Sequence, residues 1–268
     1  ATNGAAGDIS IMVGETTLAS TAGAMLTMQA GDSVGATSTG GPVSITAGDS
    51  TNEGGLVKLQ SGTSTGQSTG TILIATGDGS KSSGDLTIRT ANAATTGRSG
   101  ALTFSSGTTL IGDSGSLSIG SGLATQGTGG SISITVGDGN SGTGGSITMT
   151  AGKTRGTGLD GGAVTITGGQ GLQTGGAVTI GSGAGTTTSS GAMTITTATS
   201  GKGITGAMIF SSGIADSGAS GDITVGSGQA TNGAAGDISI MVGETTLAST
   251  AGAMLTMQAG DSVGATST

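Results

Sequence analysis

The chain has 268 residues, of which 60 are Gly, one is Pro, two are Phe, and none is Cys, His, Trp or Tyr. Only 8% of residues are charged, and the formal net charge is −8. That composition excludes a thiol nucleophile, an imidazole base, a disulfide framework and the usual zinc sites, while Gly without a three-residue period and a single Pro exclude collagen.

The first element in chain order is the eight-residue stretch GDISIMVG at 7–14. Its pattern is Gly, any, apolar, any, apolar, any, small, Gly, and it returns along the whole chain. GPVSITAG (41–48), GSISITVG (130–137), GSITMTAG (145–152) and GDITVGSG (221–228) follow the same frame. The first apolar position falls at Ile9, Leu26, Val43, Val57, Ile72, Leu86, Leu102, Leu117, Ile132, Ile147, Val164, Val178, Met193, Met208 and Ile223, and again at Ile238. Spacings run from 14 to 17 residues, and fifteen of them sum to 229. Only Ala24 breaks the leading Gly, and only Ala91 and Ala198 break the trailing one.

Two longer repeats contain the frame. Residues 1–39 recur unchanged as residues 230–268, an offset of 229. Residues 98–139 align with 204–245 at an offset of 106, seven frames on. Residues 1–229 therefore read as one full period of 15 frames, and 230–268 as the start of the next. The expectation is a window on a longer tandem array, because solenoid ends normally carry atypical caps.

Within a frame, apolar residues alternate with Ser or Thr. A two-residue period puts Ile132, Ile134 and Val136 on one face and Ser133 and Thr135 on the other, as in a strand. A helix would need spacings of three and four, and Gly would penalise it by roughly 1 kcal/mol per residue. The flanking glycines read as places of tight turning or positive φ. The return legs carry scattered single apolar residues: Leu18, Val34, Leu110, Leu123, Leu159, Leu172, Ile204 and Ile214.

One such strand cannot bury its face alone, whereas stacked copies can. The predicted fold class is all-β, a parallel β-solenoid with rungs of about 15 residues. One frame per coil is the preferred register and two or three frames per coil the alternative. Seven frames and fifteen share no factor, so only one frame per coil keeps every copy aligned. The 229-residue period would then rise about 72 Å at ~4.8 Å per rung.

Candidate chemistry is sparse. Stacked outward hydroxyls at Ser44, Thr46, Ser133, Thr135, Thr148, Thr150, Thr165, Thr167, Thr194 and Thr196 would form a Ser/Thr surface array. The array resembles the Thr-x-Thr files of β-solenoid ice-binding proteins, mainly over 130–197. Met12, Lys58, Gln60, Leu73, Arg89 and Ile209 interrupt it elsewhere. Asp32, Asp49, Asp78, Asp113, Asp138 and Glu15 follow frames singly, in a register unlike calcium β-rolls, and read as turn formers. The glycine-rich loops lack the GKS or GKT of a phosphate cradle. No catalytic, cofactor or metal site is expected, and no enzyme.

The chain looks like the Gly/Ser/Thr-rich repeat proteins of microbial and algal cell surfaces and the shafts of filamentous adhesins. That resemblance implies a structural segment of a long secreted filament, stalk or surface coat, extracellular or on the cell surface. Its partners would be further copies of the repeat in one long chain and, laterally, neighbouring fibres. Nucleic acid is not expected, since nothing aromatic stacks on bases and the net charge repels phosphate. Membrane insertion is not expected either, since no apolar run is long enough. The opening ATNGAAGD has no basic start or apolar core, so a targeting segment would lie outside this sequence. Alternative functions are an ice- or glycan-binding solenoid using the hydroxyl files, and a functional amyloid-like fibre.

Overall fold

A computed structural model describes residues 7–17, 22–94, 96–246 and 251–260. Leu18 of the first return leg lies outside them. The described residues contain no helix and no strand; they are coil punctuated by bends and turns. The β-solenoid expectation is therefore overturned, and with it both registers, one frame per coil and two or three. The chain divides into two units, Ala1–Ile132 and Ser133–Thr268, with the division inside the frame at 130–137.

The physical reason lies in what a frame has to bury. Most frames bring two apolar side chains and one small one, and a few a third apolar residue such as Val136, to roughly 15 residues of chain. Ordering that chain costs backbone entropy, most of all at Gly. Alternation makes a strand possible but supplies no partner, and an unpaired strand leaves its N–H and C=O groups to water. Among the described residues no side chain is buried, apolar or polar.

The frame still marks the chain's exposure. From Leu26 to Leu255 the first apolar position of every frame is covered to a similar degree, from 44% exposed at Met208 to 59% at Leu117. Outward Met12, Leu73 and Ile209 stand at 80–86%, and return-leg Val34 and Leu172 exceed 100%. The two-residue alternation is thus present as a difference in exposure, without a core.

Order concentrates where one frame ends and the next begins. In the first unit, the N–H groups of Gly41, Gly55 and Gly70 donate to the carbonyls of Gly31, Gly48 and Gly62, at 2.9, 2.9 and 3.2 Å. In the second, Gly162, Gly176 and Gly191 donate to Gly152, Gly169 and Gly183, at 2.9, 2.8 and 2.9 Å. Each bond joins the leading Gly of a frame to the trailing Gly of the frame before, closing the return leg into a loop with a narrow neck. The seventh residue of the preceding frame lies against the neck. Ala30, Ala47, Ser61, Ala151 and Gly168 are accordingly among the few residues that are only partly exposed.

This closeness explains the leading Gly at Gly55, Gly162 and Gly176. A β-carbon on Gly55 would sit 3.1 Å from the Ala47 Cβ and 3.2 Å from the Gly48 nitrogen, so backbone would have to move. Positive φ is not the reason for these frame-edge glycines. The described glycines with positive φ, Gly97, Gly112, Gly142, Gly158 and Gly218, all lie inside return legs. Gly112, at φ 96°, occupies a backbone region that L side chains rarely adopt.

Candidate functional site

The ten hydroxyl residues singled out above are all exposed. Ser44 and Thr46 belong to the first unit, and Ser133, Thr135, Thr148, Thr150, Thr165, Thr167, Thr194 and Thr196 to the second. No strand sets them in files among the described residues.

The hydroxyls that find partners are in the turns instead. Ser33 Oγ donates to Ser38 Oγ at 2.5 Å, and Ser38 Oγ donates to the Gly35 carbonyl at 2.7 Å. Ser64 Oγ accepts from the Gln67 N–H at 3.0 Å, Ser200 Oγ from the Gly203 N–H at 2.9 Å, and Ser50 Oγ from the Asn52 N–H at 3.1 Å. Thr109 Oγ1 donates to the Ile111 carbonyl at 2.9 Å. These are short-range bonds by which Ser and Thr stand in for backbone partners in a turn. They shape the return legs.

The acidic residues are equally scattered. Asp32, Asp49, Asp78, Asp113 and Asp138, with Glu15, are exposed. Among the described residues no three metal-ligating side chains come together. Asp113 borders a shallow depression in the turn Ser106–Ser114, ringed by Thr108, Thr109 and Ser114. One carboxylate among hydroxyls falls short of the several oxygen ligands that a hard cation takes. It has no second titratable group there with which to share acid–base work.

No protein-family model, curated protein or solved structure matches this chain. Its chemistry is therefore to be read from the residues alone. The feature that reading by alternation missed is the neck. The signal was present in the sequence as a trailing Gly, a return leg and a leading Gly. Read as the ends of strands, the two glycines gave no hint that they bond to each other.

Proposed function

We propose that this chain is a repeat segment of a long, non-catalytic structural protein carried outside the cell, in a filament, stalk or surface coat. The observation that carries the reading is repetition: 39 residues return without change at an offset of 229, on a frame kept throughout. A chain that multiplies one chemically quiet motif gains length with each copy and gains no new site. Its surface is Gly, Ser, Thr and Ala with half-covered aliphatics, and the described residues form no metal cluster and bury no titratable group. A net charge of −8 favours solubility over compaction.

The mechanism is reach. A flexible Gly-rich chain spans roughly 5–6 Å times the square root of its residue number, or about 80–90 Å for one period. Added periods lengthen it in a graded way. No Cys is present to cross-link neighbouring chains, so stiffness has to come from outside this segment or from bundling.

Among the described residues no helix is long and apolar enough to cross a membrane. An antibody raised to the sequence shared by 1–39 and 230–268 tests the location. Labelling of intact source cells is the expected result. Labelling only after permeabilisation would overturn the extracellular reading.

A further inference from the structure

The necks recur in a pattern that the longer repeats do not account for. The three closed turns of the first unit are ten, seven and eight residues from carbonyl to amide, and those of the second are ten, seven and eight again. Each bond in the second unit lies 121 residues beyond its counterpart, Gly31–Gly41 with Gly152–Gly162 and so on in order. The loops themselves are unlike: DSVGATSTG (32–40) against KTRGTGLDG (153–161), and DSTNEG (49–54) against QGLQTG (170–175). Closure therefore tolerates different loop sequences, but two edge glycines and a small seventh residue do not suffice for it, since Gly107 and Gly115, or Gly122 and Gly130, frame returns of the same length as Gly62 to Gly70 and carry no such bond. Length alone does not produce it, since Gly77 and Gly84 are also seven apart and carry no such bond.

From this we propose that the necks are reversible length stores. Each closed turn hides a loop that tension draws out and slack restores. The inference rests on the structural reading above and names what kind of mechanical element the segment is. A loop of seven to ten residues extends to roughly 3.3–3.6 Å per residue, whereas its closed ends are only about 5 Å apart. Each neck thus conceals about 20–30 Å, and the six together on the order of 140 Å. A single exposed backbone hydrogen bond favours closing by only a factor of roughly 2 to 13, and the entropy of closing the loop opposes it. The stores therefore open one at a time under slight tension, without a cooperative break.

Two measurements test this. In the ¹⁵N-labelled chain, the Gly41, Gly55, Gly70, Gly162, Gly176 and Gly191 amides should exchange with solvent about 2- to 10-fold more slowly than those of Gly100, Gly115 and Gly130. These three lead frames without a closing bond. Gly55→Val should erase the difference at its own neck and leave the other five. In single-molecule stretching, a variant with Val at Gly55, Gly162 and Gly176, where a β-carbon would come within 3.1–3.2 Å of its neighbours, should be longer at low tension than a control. The control carries Val at Gly107, Gly120 and Gly122, where a β-carbon meets open space. Both should reach the same full extension. Six amides that exchange as fast as the rest, or superimposed extension curves, would overturn the proposal. Either outcome leaves the extracellular reading to the antibody experiment, which does not depend on the necks.

Discussion

Heated or titrated with urea, the isolated chain should show no cooperative transition. Its accessible surface is 26701 Å². A folded monomer of 24.6 kDa exposes about 10,000 Å², and its fully unfolded chain about 36,000 Å². Complete unfolding can therefore uncover only about 9,000 Å² here, roughly a third of what a folded protein of this mass uncovers. The slope of stability against denaturant scales with that area. Calorimetry should give a featureless trace, and circular dichroism should drift linearly with urea. A sigmoidal melt with an unfolding enthalpy in proportion to chain length would show a packed core that the described residues lack.

The second large effect is on proteolysis. Trypsin should cut after Lys58, Lys81, Arg89, Arg98, Lys153, Arg155 and Lys202 with similar rates and without delay, because all seven are exposed and lie in coil. In a folded domain such bonds are cut through an open state populated at about one part in 10³ to 10⁸. Digestion of this chain should be faster than that of a folded control by about 10³-fold or more under the same conditions. Mass spectrometry of the fragments over time reads it directly. A long-lived fragment that keeps internal sites uncut, such as 59–202 with Lys81, Arg89, Arg98, Lys153 and Arg155 intact, would contradict the coil description.

Much of this chain was legible without coordinates, though not the part that decides the fold. The frame, its spacing and its thinness come straight from residues such as Gly130, Ile132, Ile134 and Gly137. The exposure profile repeats that alternation from one frame to the next. What alternation cannot convey is whether a strand finds a partner. Pairing depends on the balance between chain entropy and buried area, and two or three aliphatic side chains per frame leave that balance unfavourable. Among the described residues the ladder expected from Ser133 and Thr135 upward is absent for this reason. With no ladder, the outward hydroxyls are exposed to solvent.

The glycines teach a narrower lesson. Gly41 and Gly55 signalled a turn but not its cause, because close approach and positive φ leave the same mark in a sequence. The coordinates separate them. Frame-edge Gly55 is needed because the Ala47 Cβ and the Gly48 backbone come so near, whereas Gly112 within a return leg is needed for its dihedral angle. The seventh position of the frame follows from the same geometry. The Cβ atoms of Ala47, Ser61 and Ala151 sit 3.1, 3.4 and 3.4 Å from where a β-carbon on the following leading Gly would lie.

Residue-level chemical shifts test the coil description most directly. Backbone ¹³Cα and ¹³Cβ shifts of the chain in dilute buffer should stay at coil values through every frame, including GSISITVG at 130–137 and GSITMTAG at 145–152. Runs of strand-type deviation over these eight residues, returning about every 15 residues along the chain, would contradict it.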